Sequence, residues 1–400
     1  MNIHEYQAKK ILNRYGITIP RGGIAYTPNE AKRVASKVSF RGPWMLKAQI
    51  QSGARNRGYF LEEKAGKKGG IRQIKSRREI VKNAEQMLGS TLVTLQTGPK
   101  GKQVSRIYVE AFNKVKKIFY AGLVVDRMKS AITLLIAETE NQDISDIAVS
   151  TPEKILKIEL PLNDGVAPEH IQQVLEFVGL SPRSAKSLET LINGMHQAFL
   201  DYDATMIEIN PVGVLANGSL IALDAKISFD DNALYRHKDI KVLQDDYETD
   251  DRERQAAKYK FGYSEFDGSI GCIVNGDGLA LAVMDVLRSK GYGAACYLNV
   301  KGGVDKDKIA SGIKIIMTNP RVEGILMNFL GGFMRCDLVA EGIVAAASEV
   351  GLNVPFAIRL EGTNKDEAKD ILVRSKLPII IADEMDDATE KLINAVEEND

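Results

Sequence analysis

The 400-residue chain carries 53 Lys plus Arg against 53 Asp plus Glu, with 44% hydrophobic and 26% charged residues. That length excludes a single compact core, and the even charge without a basic run argues against nucleic acid as a partner. No apolar stretch reaches the length of a membrane span. The opening MNIHEYQAKKILNRYG reads as a charged amphipathic helix rather than a signal or transit peptide, which makes the cytoplasm the expected location.

In chain order, helical spacing of Ile3, Tyr6, Ile11 and Leu12 predicts a helix over residues 2–15. A strand follows at Trp44 to Ile50, then a loop rich in Gly, Lys and Arg from Gln51 to Gly70. Glu79 to Leu88 reads as a helix. Thr91 to Gln96 and Ser105 to Ala111 read as strands, and Phe119 to Asp126 with Ala131 to Ala137 as an antiparallel pair. Helical patterns occupy Glu169 to Leu180 and Ser184 to Leu200. This mixture without a strict βαβ rhythm predicts an α+β domain over residues 1–238. The charged, apolar-poor stretch 239–258 reads as a linker. From Ser269 onward, apolar strands and helices alternate to the end, which predicts an α/β parallel sheet over 259–400.

Residues 205–236 contain the most informative pattern, a β-hairpin around Asn217 and Gly218. A two-residue turn would set Asn210 opposite Ala225. A three-residue loop, Ala216 to Gly218 with glycine left-handed, would set Asn210 opposite Asp224 and Glu208 opposite Lys226. Pro211 then fits an edge or a bulge. Glu208, Asn210 and Asp224 would make an oxygen-rich cluster suited to Mg²⁺; an exposed hairpin face with a cross-strand Glu–Lys pair fits the same pattern. Lys47, inside the apolar strand WMLKAQI, needs a partner or a ligand. After it, SGARNRG offers glycines and the charges of Arg55 and Arg57 to phosphates, though a surface loop would look alike. The glycine-rich junctions VNGDGLA and NFLGGFMRCD lie where a parallel sheet binds ligands or anions, or serve only to pack helix on sheet. NGDG is not GxGxxG, so no nicotinamide cofactor is expected. Cys272, Cys296 and Cys336 lack metal-like spacing and read as reduced, buried thiols. His4, His170, His196 and His237 lie too far apart in sequence to suggest a metal site or a triad.

MNIHEYQAK, the Lys47 strand, TLQTGPKGK, YVEA, EINP, LDAK, DDNALYR, VNGDGLA, GGFMRCD and IRLEGTN occur in this order. Together they resemble the β subunit of the succinyl-CoA synthetase family across essentially the whole chain. The resemblance implies an ATP-grasp domain up to about residue 235 and a flavodoxin-like CoA-ligase domain over 245–390. It also implies an α-subunit that binds CoA and carries the catalytic histidine, which ATP with Mg²⁺ phosphorylates before the phosphoryl group passes to a small carboxylic acid. Carried onto this sequence, Lys47 meets ATP phosphate and Glu110 holds the nucleotide, with Ala54, Arg55, Asn56, Asn113 and Ile118 at further nucleotide positions. Asn210 and Asp224 become the Mg²⁺ ligands, and Glu208 lies near the phosphohistidine. Asn275, Gly332, Phe333 and Met334 line the acid and phosphate site, with Gly332 opening a helix whose dipole faces the phosphohistidine.

The chain also departs from the family pattern. Ala54 and Asn56 replace two glycines of the family's HAGGRGK loop. Asn113 stands for a threonine, and Ile118 for a glutamate whose loss would cost about 1–3 kcal/mol of nucleotide binding if buried. A usual STEGG run falls at Ala137 to Asn141. Asp277 stands in the NGAG loop and Lys301 in the DVGGG loop, and Asp277 would repel an anion unless Lys301 compensates it. The expected function is an ADP-forming ligase subunit with succinate as its acid. PRGGIAY, KAQI-SGAR and SFDDNALYR resemble a malate–CoA ligase branch, which is the alternative, and a catalytically degenerate assembly partner is the reading outside enzymes.

Overall fold

A computed structural model describes residues 1–138, 144–162, 165–301, 303 and 305–399. It divides into two units, Met1–Glu248 and Thr249–Asp400. The stretch 239–258 is shared between them. Its Asp245 bonds His4 in the first unit, whereas Ala256 of the Asp251–Lys258 helix packs into the core of the second.

The first unit is built on two main sheets. One has four strands in the order Gly22–Ala25, Ile107–Ala111, Trp44–Ala48, Ile71–Ile74, all antiparallel. Period-2 alternation settles its faces. Trp44, Leu46, Ala48, Ile107 and Val109 point into one apolar cluster with Ala31 and Ala35 of the Pro28–Val38 helix. Met45, Lys47, Tyr108 and Glu110 therefore take the opposite face, where Met45 pairs with Glu110 and Lys47 with Tyr108. The second sheet runs Ile155–Leu160, Ala131–Ala137, Lys117–Asp126, Ala204–Val214, Leu220–Ala222, with Lys226–Phe229 also paired to Ala204–Val214. The Glu5–Arg14, Pro168–Val178 and Ala185–Asp201 helices supply Leu12, Val174 and Leu188 to the core on this sheet. Burying each such side chain fully contributes roughly 1.5–3 kcal/mol.

The hairpin takes the three-residue loop. Val214 pairs with Leu220 and Val212 with Ala222, Gly218 sits at φ +89°, and its N–H donates to Leu215 O at 3.0 Å. Asn210 N consequently faces Asp224 O at 3.3 Å and Glu208 pairs with Lys226. Pro211 is not on an edge: the Ala204–Val214 strand is flanked on both sides, and a register shift against Lys117–Asp126 falls between Ile209 and Val212. That bulge lets Ile209 and Val212, three residues apart, both enter the core, while Asn210 stays on the polar face.

In the second unit the strand order is Gly262–Glu265, Ala294–Asn299, Ile270–Val274, Gly324–Arg335, Phe356–Thr363, Ile379–Ala382. All neighbours run parallel except Gly262–Glu265, an antiparallel edge strand absent from the sequence reading. Both faces are covered: Ile325, Met327 and Phe329 enter one cluster, and the alternate Leu326 the other. Such two-sided burial explains the near-continuous apolar runs of these strands. Among the described residues no helix is long and apolar enough to cross a membrane.

Candidate functional site

The polar face of the four-stranded sheet receives the Glu5–Arg14 helix, and six charged side chains meet there. Glu5 and Lys9, one turn apart, are buried on the same helical stripe as Ala8 and Leu12. Glu5 Oε1 accepts from Lys9 Nζ and Lys47 Nζ, both at 2.8 Å, and Glu5 Oε2 from Arg55 Nη2 at 2.7 Å. Glu110 accepts from Lys9 at 2.6 Å and Lys47 at 2.7 Å. Lys47 also donates to Leu223 O at 2.6 Å, and Arg55 Nη2 to Asp224 Oδ2 at 2.6 Å. Three cations thus balance three carboxylates, with Gln49 Nε2 adding a bond to Glu5 at 3.2 Å.

Burial opposes every charge in this cluster, and the pairing decides the outcome. Burial would raise the Glu5 carboxyl, yet Lys47, Lys9 and Arg55 hold it well below the usual range. Burial would lower the Lys47 ammonium, yet Glu110, Glu5 and Asp224 raise it; Asp224 and Glu5 do the same for Arg55 against burial. Burial pushes the Asp224 carboxyl up despite Arg55, and the Glu5 carboxylate adds to the rise.

Asp224 is the most open member, its side chain 22% exposed. Its cross-strand neighbour Asn210 donates from Nδ2 to Glu208 Oε1 at 3.3 Å, which leaves the Asn210 amide oxygen as the remaining donor. An amide oxygen beside a carboxylate, next to cations able to meet phosphates, is a donor set that fits Mg²⁺ with a nucleotide. Lys47, Arg55, Glu110 and Asp224 are therefore joined in one network, and Glu208 and Asn210 lie beside it.

The other expected nucleotide positions stand apart from this network. Ala54 precedes Arg55 at φ +53°, the left-handed region where the resemblance has glycine; holding alanine there costs roughly 1–2 kcal/mol. Asn56 is exposed. Asn113 folds its amide back onto Ala111 O at 2.9 Å, and Ile118, 37% exposed, sits opposite Gly213. The Ala137 to Asn141 run lies outside the described residues from 139 onward.

In the second unit, Ile270–Val274 has its successor in sequence, Ala294–Asn299, on one side and Gly324–Arg335 on the other. The chain thus reverses its winding at Ile270–Val274, where open α/β sheets bind ligands. Asn275 spans the gap: Nδ2 donates to Leu330 O at 2.8 Å, and Oδ1 accepts from Leu330 N at 3.0 Å. Gly332 does not open a helix. It lies within the Gly324–Arg335 strand, and the next helix begins at Cys336, so the expected dipole contact at Gly332 is not there. Phe333 is fully exposed, whereas Met334 turns into the core. Lys301 does not compensate Asp277 among the described residues; Asn299 Nδ2 donates to its carboxylate at 2.8 Å instead. Gly302 of that loop lies outside the described residues.

The sequence reading missed Glu5, Lys9 and Gln49. The signal was present in part: Glu5 and Lys9 place an ion pair on the buried stripe of an amphipathic helix.

An ATP-grasp unit carrying a charge-balanced buried cluster, followed by a CoA-ligase unit, is the class of protein that the comparisons define. The ATP-grasp domain family model matches residues 2–214, and the CoA-ligase model residues 273–393. Succinate–CoA ligase [ADP-forming] subunit beta of Paramagnetospirillum magneticum is 46% identical over 399 residues, with 100% of both chains covered. That of Acidiphilium cryptum is 47% identical over 399 residues with the same coverage. The chain belongs to this family of ADP-forming succinate–CoA ligase β subunits. The ATP-grasp domain of an ADP-forming ligase uses ATP with Mg²⁺. Among solved structures, ATP citrate lyase from Methanothrix soehngenii superposes with a TM-score of 0.71 at 15% identity, covering 98% of this chain and 99% of that one, and supports the fold.

Proposed function

We propose that the chain is the β subunit of an acid–CoA ligase that binds ATP through Lys47, Arg55 and Glu110, with Asn210 and Asp224 as the metal donors. The single observation that carries this reading is the junction of Lys47, Arg55, Glu110 and Asp224 in one balanced network. Lys47 and Arg55 would bind phosphate oxygens, and Glu110 would keep Lys47 aimed at them. The metal, when bound, would neutralise phosphate charge. Glu208, beside Asn210, would face a histidine brought by an α-subunit that also carries the CoA site. Asn275 and the Gly332 to Met334 segment would contact the acid, succinate in the first reading. Asp277, two residues after Asn275 and held by Asn299, favours a second reading in which a hydroxy acid such as malate donates its hydroxyl to the carboxylate.

Calorimetric titration of the complex co-expressed with its α-subunit tests this, using ATP with Mg²⁺ and the wild type beside Asp224→Ala. Magnesium-dependent binding that the variant loses is the expected result. An assembled, folded complex giving no heat and no histidine phosphorylation would overturn it. A succinate and malate comparison then separates the two acids, with Asp277→Ala expected to weaken malate selectively if the second reading holds.

A further inference from the structure

Arg55 binds the carboxylate that the metal needs. Its Nη2 bridges two acids, Asp224 Oδ2 at 2.6 Å and Glu5 Oε2 at 2.7 Å, and Nη1 donates to Ala48 O at 2.7 Å. The other Asp224 oxygen accepts from Ala225 N at 2.8 Å, so both carboxylate oxygens are engaged. The Ala225 bond belongs to the hairpin backbone. The Arg55 bond reaches across 169 residues of sequence from the Gly53 to Gly58 loop. That loop is itself anchored, since Gly70 N donates to Arg55 O at 2.8 Å and Gly53 N to Gln96 Oε1 at 2.6 Å. Release of Asp224 therefore needs only a swing of the Arg55 side chain.

We propose that the Arg55–Asp224 ion pair is a latch that keeps divalent metal off Asp224 until nucleotide phosphates draw Arg55 away. The inference rests on the reading of Asp224 and Asn210 as metal donors. A Mg²⁺ bond to a carboxylate oxygen is about 2.0–2.1 Å long, so a metal on Asp224 Oδ2 would lie against the Nη2 that now binds the same atom. A divalent ion and the guanidinium would repel one another across that shared oxygen, in a pocket where the Arg55 side chain is only 6% exposed and water screens little, so the ion pair weakens metal binding at Asp224. Phosphate is the natural exchange partner, because a guanidinium binds phosphate with the same forked geometry that it offers a carboxylate. Glu5 holds the second contact of Nη2, which keeps Arg55 within reach of the site when Asp224 lets go. Metal and nucleotide would then load together rather than metal first.

The test uses Mn²⁺ as the probe, with free ion followed by electron paramagnetic resonance, on the assembled complex without nucleotide. Wild type should bind Mn²⁺ weakly, Arg55→Gln at least about five-fold more tightly, and Arg55→Lys in between, because a lysine is shorter and cannot fork. Trp44 fluorescence verifies that each variant is folded, and Arg55→Lys carries the test if Arg55→Gln does not fold. Folded Arg55 variants with wild-type or weaker Mn²⁺ affinity would overturn the latch. Adding Asp224→Asn to Arg55→Gln should remove the gain. If the gain survives, the metal does not sit on Asp224, and the placement and the latch fall together.

Discussion

Lys9 is wholly buried, its ammonium held between Glu5 at 2.8 Å and Glu110 at 2.6 Å and lying over the Tyr108 ring at 5.3 Å from its centroid. Lys9→Met keeps the length of the side chain and removes the charge, leaving three carboxylates against two cations. Glu110→Gln tips the balance the other way, since Lys9 and Lys47 then share Glu5. Breaking a buried ion pair from one side costs about 3–5 kcal/mol, because the remaining charge stays uncompensated. Two independent losses would sum to roughly 6–10 kcal/mol. The double variant, however, restores neutrality with two cations and two carboxylates, so its loss should fall short of the sum by about 1–3 kcal/mol. The assay is denaturant unfolding followed by Trp44, the only tryptophan and a buried residue of the Lys47 strand. Its signal reports the first unit without contributions from the second. Additivity within about 0.5 kcal/mol would refute the idea that charge balance, rather than packing, holds this cluster.

Three further outcomes are expected. Burial holds the His4 imidazole below its ordinary 6.5, although the Asp245 carboxylate pulls it upward. The folded first unit thus takes up a proton less readily than the unfolded chain, so stability is full above about pH 6.5 and falls as the pH drops through that value towards the lowered folded pKa. His4→Gln should flatten this slope in Trp44 unfolding midpoints, and an unchanged slope would count against it. Gly218→Val puts a β-branched residue at φ +89°, with its Cβ 3.3 Å from the Arg183 Cβ; thermal unfolding should show a loss of about 1–2 kcal/mol, and an unshifted midpoint would contradict the hairpin geometry. Asn275→Ala removes both bonds to Leu330 at a cost of about 1–3 kcal/mol. Amide hydrogen exchange over residues 330–334 should accelerate, and wild-type protection there would refute the tether.

Much of the site was legible because it obeys short-range rules. A glycine in a three-residue loop decides the hairpin register, and the register alone brings Asn210 to Asp224. A lysine between apolar strand residues announces a buried charge, and Lys47 proved to be one. The parallel sheet could be read from apolar runs alternating with helices. What the pattern concealed was set by contacts distant in sequence. Nothing near Arg55 announces that its guanidinium would span to Asp224, or that Glu5 would collect Lys47 and Arg55 from other elements besides the Lys9 of its own helix. Gly332 was misplaced because the Gly324–Arg335 strand continues past the two glycines, paired with Phe356–Thr363 up to Arg335 and Thr363. The Gly262–Glu265 strand is short and joins the sheet only as an antiparallel edge, with too little periodicity to be seen alone.

The balanced cluster also bears on how such a chain can vary. Glu5, Lys9, Lys47, Arg55, Glu110 and Asp224 come from four separate stretches of sequence, yet each holds a charge that another must cancel. A change at one of them strands a charge away from water, and only a matching change elsewhere in the set relieves it. Drift at these six positions is therefore expected in compensated pairs, so that a substitution harmless in one relative can be ruinous when moved alone into another.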